Sequence, residues 1–196
     1  MLKTNRNKLV ALSVMGQVAP PMRSTPYRID RDGVPFVLPG TGGIAYNVKV
    51  GDSAFGWAGD HIEPGVSTAA VIDKRSDPKN QAYNTLACIG NVATVVSGDA
   101  KGAKGYVTGM HGGIEHVLID FADEDLDKLC IDDKIQIRSM GQGLELLDYP
   151  GISVFNLDPD LLDKLGIEER DGKLVVPVTN RIPARFMGSG LGAASV

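Results

Sequence analysis

The sequence predicts a mainly β protein with a few short helices, arranged as a small β-barrel or an irregular multi-strand β architecture. Three observations predict it. Glycine makes up 24 of 196 residues, with 11 prolines beside it; glycine is thus well above its ordinary ~7%, a composition that suits short strands joined by tight turns. Several segments alternate apolar and polar side chains with the period of a strand. Two of these segments meet across His111-Gly112-Gly113, a glycine-bearing turn of the kind that closes a hairpin. The hydrophobic share is 43% and the charged share 22%, as in a folded chain long enough to bury a substantial core.

The elements follow in order. Residues 9–15 read as the first strand. Lys3, Arg6 and Lys8 before it give the N-terminus a superficial likeness to a secretion signal, but the apolar run is short, Gln17 ends it, and Pro20 and Pro21 stand where cleavage would fall. Residues 33–38 contain Pro35 and are read as an edge or irregular stretch. In 44–50, Ile44, Tyr46, Val48 and Val50 share one face. Residues 68–72 form another short strand. Residues 77–84 read as a surface loop entering one helical turn before 86–89, and 92–96 as a compact strand between Gly90 and Gly98. Residues 105–110 and 115–121 make the hairpin, with Val117, Ile119 and Phe121 on one face and His116, Leu118 and Asp120 on the other. Acidic residues crowd the first turn of a short helix at 123–129, where the helix dipole favours them. A strand at 134–139 follows. Asp158 as cap, Pro159 in the first turn and Gly166 as stop mark another short helix, and a strand at 173–178 follows the Asp171-Gly172 turn. The organisation expected is a Gly/Pro-rich β segment over 1–90, a barrel-like segment over 91–180 and a tail over 181–196, or one compact domain.

A net charge of −4 and a pI near 5.3 disfavour nucleic acid as a partner, which calls for a basic stripe. No apolar run approaches the length of a membrane span, so a cytoplasmic protein with no membrane partner is expected. Cys88 and Cys130 lie far apart with no CxxC spacing and are expected to be reduced and largely buried.

The chemistry-bearing residues concentrate in glycine-rich places. Residues 38–65 contain the single tryptophan, Trp57, and one of three histidines, His61. Thr41, Gly42 and Gly43 precede a strand rather than follow one, and no Gly-Lys-Ser occurs, so they read as a turn; a backbone-amide anion site keeps them candidates for ligand binding. Trp57 reads either as the wall of a ligand pocket or as a plug in the end of a barrel. Asp60, His61 and Glu63 are the candidate acid/base residues. His61, His111 and His116 are candidate ligands for a divalent metal, imidazole being its commonest protein ligand and neighbouring carboxylates serving to orient the rings. The alternative is that these rings bond backbone carbonyls or face solvent. His111 in the turn and His116 at the start of the next strand are expected to converge only if the turn folds back. Arg185 is a candidate for an acidic ligand, against salt bridging to the many acids. Ser189 in Gly-Ser-Gly lacks the first glycine of a nucleophile elbow, Met187 standing in its place.

Four stretches carry a resemblance: residues 38–52 (Leu-Pro-Gly-Thr-Gly-Gly-Ile-Ala-Tyr-Asn-Val-Lys-Val-Gly-Asp), 59–67 (Gly-Asp-His-Ile-Glu-Pro-Gly-Val-Ser), 111–116 (His-Gly-Gly-Ile-Glu-His) and 183–192 (Pro-Ala-Arg-Phe-Met-Gly-Ser-Gly-Leu-Gly). Nearly end to end, the chain resembles the N-terminal portion of the bacterial family of unknown function labelled DUF4438. The resemblance implies a β-rich fold, no established activity, and a further portion rich in glycine and histidine beyond Val196. It thus implies a fragment, one half of a split gene or a processed chain, with part of any site on that further portion.

Two functions are expected to compete. The first is a soluble enzyme acting on a small polar molecule, by metal-assisted hydrolysis. The second is a non-catalytic ligand-binding or assembly module, a homo-oligomer or a partner of a separate C-terminal portion.

Overall fold

The computed structural model describes residues 2–21, 28–29, 32–36, 42–46, 65–111 and 116–179. Six strands close an antiparallel barrel in the order β1-β4-β7-β6-β5-β8: β1 (Leu12–Val18), β4 (Val66–Ala69), β5 (Val92–Val95), β6 (Lys104–His111), β7 (His116–Asp120) and β8 (Lys134–Ser139). β1 closes it, pairing with β8 from Leu12↔Ser139 to Gln17↔Lys134 and with β4 through Gln17↔Ala69 and Val18↔Thr68. Two small ribbons lie outside: β2 (Arg28–Ile29) with β3 (Pro35–Phe36), and β9 (Glu168–Arg170) with β10 (Lys173–Val175). The barrel takes β1 and β4 from before residue 90 and the other four strands from after it.

Period-two alternation fills the barrel. Val18, Val66, Val107, Val117, Ile119, Ile135 and Ile137 are at most 1% exposed and form one core. Helix α1 (Pro78–Leu86) packs against β1 and β7 and sends Tyr83 into that core. The Tyr83 hydroxyl donates to Thr68 Oγ1 at 3.0 Å, and Thr68 in turn donates to the Val117 carbonyl at 2.9 Å. Room for the ring comes from Gly16, where a Cβ would lie 2.5 Å from Tyr83 Cζ. Burial pushes the Tyr83 hydroxyl well above its usual range.

A smaller core gathers Leu144, Leu146 and Leu162 with Leu2, Leu9, Leu157 and others. Helix α3 (Pro159–Lys164) lies here. Asp158 caps it by accepting from the Asp160 N–H at 2.6 Å, with Pro159 in the first turn, as the sequence predicts. Arg6 ties the N-terminal segment to this helix through Asp160 and, at 2.7 Å, Asp163.

A buried clasp joins the two cores. Asn91 accepts the Cys88 N–H at 2.9 Å and donates to the Met140 carbonyl at 2.8 Å and to Asp158 Oδ2 at 2.7 Å. The Ile89 N–H donates to the Asn156 carbonyl at 2.7 Å, and the Asp158 N–H to the Ile89 carbonyl at 2.8 Å. Burial raises the Cys88 thiol to about 11.

The sequence reading needs several corrections. β1 runs over Leu12–Val18 rather than 9–15, and residues Arg6–Lys8 before it form a short 3-10 helix. Residues 78–86 are a full helix, not a loop with one turn. Beyond the helix, Ile89 makes an isolated parallel bridge to Leu157. In 44–50, Ile44 bridges Val66 and 47–50 lie outside the described residues. The helix at 123–129 is shorter, α2 (Asp123–Leu126). Both cysteines are free, but Cys130 is exposed. No helix among the described residues is long and apolar enough to cross a membrane.

Candidate functional site

The candidate site lies on the sheet face opposite the barrel core, across β4, β7 and β6. Alternation in β7 sends Val117 and Ile119 inward, so His116 and Leu118 face the other way. That outer face is nonetheless covered: Ser67, His116 and Leu118 are 0%, 4% and 7% exposed. His111 ends β6 directly opposite His116 in the ladder and is 3% exposed. Residues paired in this way hold their Cβ atoms about 5 Å apart. The two histidines therefore lie opposite each other by strand register, and His111 belongs to the strand. The expectation that the turn must fold back to bring them together is corrected.

β4 supplies the third group. Ser67 is paired with Leu118, and its Oγ lies 2.5 Å from His116 Nδ1. The serine backbone is held on both sides. Its N–H donates to the Gly43 carbonyl at 3.0 Å, and its carbonyl accepts the Ala19 N–H at 2.8 Å. Gly42 and Gly43 form the turn that reaches it, both in the left-handed region at φ +83° and +82°. A Cβ at Gly42 would lie 2.5 Å from the Pro20 carbonyl oxygen, so glycine is required there on both counts. The Gly43 N–H donates to the Ala19 carbonyl at 2.8 Å.

The structure thus brings together Gly43, Ser67, His116 and His111. Thr41, Trp57, Asp60, His61, Glu63 and Arg185 lie outside the described residues. Ser67 was missed by sequence reasoning. Its available signal was a pair of hydroxyl residues, Ser67 and Thr68, within a strand buried on both faces. One of them must face the core and the other the histidines. Tyr83 was missed as well, since the aromatic considered for a barrel plug was Trp57.

Two adjacent imidazoles suit zinc, copper, nickel or iron. A catalytic zinc takes three protein ligands and keeps one position open. No group of three or more His, Cys, Asp or Glu side chains is placed to hold a metal among the described residues. A metal site built on His111 and His116 would need at least one further ligand from outside the described residues.

A family model for the N-terminal part of a domain of unknown function, DUF4438, matches residues 27–163. The chain belongs to the DUF4438 family. The model for the C-terminal DUF4438 domain matches residues 164–196, so the boundary between the two falls at the end of α3. A solved structure titled "Crystal structure of TM1086" is similar to this DUF4438 chain at 53% identity and a TM-score of 0.84. The similarity covers 94% of this chain and 64% of that one, so the chain spans less than two thirds of that protein's length. None of the curated proteins compared with this chain matches it.

Proposed function

We propose that this DUF4438 chain carries part of the active site of an enzyme that hydrolyses a small polar molecule with the help of a divalent metal. One observation carries the reading: His111 and His116 form a buried cross-strand pair. Two histidines set across one ladder are suited to contribute imidazole ligands to a shared cation once a further ligand completes the set. His61 is the candidate third ligand. Asp60 and Glu63 are the candidate acid/base groups for a metal-bound water, and Trp57 the candidate pocket wall. Thr41, Gly42, Gly43 and Arg185 are the candidate contacts to the substrate's polar groups.

Calorimetric titration with Zn2+ tests this. The wild-type chain is expected to bind one zinc ion. His111→Ala, His116→Ala and His61→Ala are each expected to weaken binding at least tenfold, an order of loss typical of removing a ligand or its support. A wild-type chain that binds zinc no better than the His111→Ala/His116→Ala double variant sinks the proposal.

A second reading, an assembly module that pairs with a separate C-terminal portion, is favoured by a different observation. β9 and β10 stand apart from the barrel, and Val176 and Val178 just beyond them are 51% and 74% exposed. This stretch falls within the match to the C-terminal family domain. Exposed valines beside a two-stranded ribbon are suited to pairing with further strands. Sedimentation of the chain alone distinguishes the readings: a stable monomer that binds zinc favours the enzyme.

A further inference from the structure

We propose that the basic outer sheet of one copy of this chain docks the acidic turn at residues 130–132 of a second copy, in a head-to-tail contact. The inference is independent of the metal reading above. It rests on two exposed surfaces of the barrel, opposite in charge and each with an apolar centre.

Strands β1, β8, β5 and β6 are neighbours in that order, and alternation turns one set of their side chains to solvent. Lys104, Lys134 and Arg138 belong to that set and are exposed. No aspartate or glutamate occurs in these four strands. None of the ion pairs among the described residues includes the three cations. Met15 and Tyr106 lie on the same face, 48% and 53% exposed. An apolar patch with cations around it has the make-up of an interface centre with a charged rim.

The complementary surface is the turn that leads from α2 into β8. Ile131 is exposed there, and the exposed acids Glu124, Asp127 and Asp132 flank it in the chain. Lys128 among them is taken up by Asp125 at 3.6 Å. The turn is firmly held. The Asp133 carboxylate accepts the Cys130 N–H at 2.9 Å and the Ser97 hydroxyl at 3.2 Å. The Asp132 N–H donates to the Val18 carbonyl at 3.0 Å, and the Val18 N–H to the Asp133 carbonyl at 2.9 Å. A protrusion fixed in this way loses little freedom on docking. Copies with a net charge of −4 repel each other as a whole, and setting this acidic turn on the basic sheet offsets that repulsion. The two surfaces are different parts of the barrel, so the contact is head-to-tail and repeats from copy to copy.

Sedimentation at low and at high ionic strength tests the contact. The wild type is expected to self-associate with rising concentration at low ionic strength and to be monomeric in about 1 M salt, where the screening length falls to about 3 Å. Lys104→Glu/Arg138→Glu and, separately, Glu124→Lys/Asp127→Lys are each expected to be monomeric, and an equimolar mixture of the two is expected to associate again. That recovery also shows that both variants fold. Cys130 is exposed and Cys88 buried, so Cys130 is a direct probe of the turn. With a disulfide oxidant, Tyr106→Cys is expected to give linked dimers and longer species that Tyr106→Cys/Cys130→Ser does not form. A wild type that stays monomeric at low ionic strength overturns the inference. Self-association that persists in Lys104→Glu/Arg138→Glu also overturns it and points to the exposed Val176 and Val178 instead. A monomeric wild type that binds a labelled single-stranded oligonucleotide, and loses it in the same variant, assigns the sheet to nucleic acid and overturns it equally.

Discussion

The Asn91 clasp and the Ser67–His116–His111 face both bury polar side chains in a small β protein, and they differ in what those side chains hold. In the clasp, the partners are mostly backbone. Asn91 serves Cys88 and Met140 with both ends of its carboxamide and also meets Asp158, which caps α3. Each bond closes a loop or joins the barrel to the smaller core. On the histidine face, side chain meets side chain: a hydroxyl bonds one imidazole, and a second imidazole lies across the ladder. Among the described residues no buried side-chain nitrogen or oxygen lacks a partner, so both regions are satisfied. The difference teaches that the partner type, and not burial itself, separates a structural polar network from a candidate chemical one.

Substitutions can break this comparison, and the largest effect belongs to the clasp. Asn91→Leu leaves the Cys88 N–H, the Met140 carbonyl and the Asp158 carboxylate short of a partner. It is expected to destabilise the chain by about 3 kcal/mol, the sum of a few unmet buried groups, as read by urea denaturation, with zinc affinity unchanged. A loss of zinc binding in a variant that remains folded would erase the distinction between the regions.

Gly16→Ala tests the barrel core that both regions share. The new methyl would meet the Tyr83 ring, and the expected cost is about 2 kcal/mol. The double variant Gly16→Ala/Tyr83→Leu is expected to recover part of it. Non-additivity of that sign in denaturation midpoints is the check.

Alkali sharpens the comparison from the clasp side. The Cys88 thiol ionises near its ordinary 9 when unfolded and near 11 when folded. Its contribution is therefore complete below pH 9 and lost as pH rises toward 11, a fall of order 1–2 kcal/mol. Tyr83 shifts in the same direction. Stability measured against pH should decline from about pH 9 upward, and Cys88→Ala should flatten part of the decline. A stability maximum above pH 10 would contradict it.

The smallest stability effect is expected on the candidate site. His111→Gln keeps a polar group of similar reach and is expected to change stability by less than about 1 kcal/mol without metal, while weakening Zn2+ binding at least tenfold. A stability loss as large as that of Asn91→Leu would make His111 another structural group.

The sequence and the structure agree most closely where local pattern is strong. β8 spans Lys134–Ser139 as read, because Ile135 and Ile137 alternate with exposed Lys134, Gln136 and Arg138. α3 carries the cap and first-turn proline expected of it. α1 escaped because its buried stripe is Asn80, Tyr83 and Asn84, so no apolar period announces it. Asp77-Pro78 repeats the Asp158-Pro159 signal, and Asp77 does cap α1 through the Lys79 N–H at 2.9 Å. Asn80 earns its burial by bonding the 71–75 loop, accepting the Val71 N–H at 2.8 Å and donating to the Val71 carbonyl at 2.9 Å. Of the candidate site, the sequence identified both histidines and the Gly42-Gly43 turn but not Ser67, which belongs to the site only through strand pairing.

By itself, the sequence determined the β class, the central hairpin, the Asp158-Pro159 helix start and the apolar faces of β7 and β8. These follow from periodicity and capping, which act within a few residues. Only the tertiary structure decided that β1 closes the barrel between β4 and β8, and that Ser67 meets His116 while Thr68 meets Tyr83. Alternation tells a strand which face to bury but not which strand to pair with. That choice falls to the register and closure that fill the shared core.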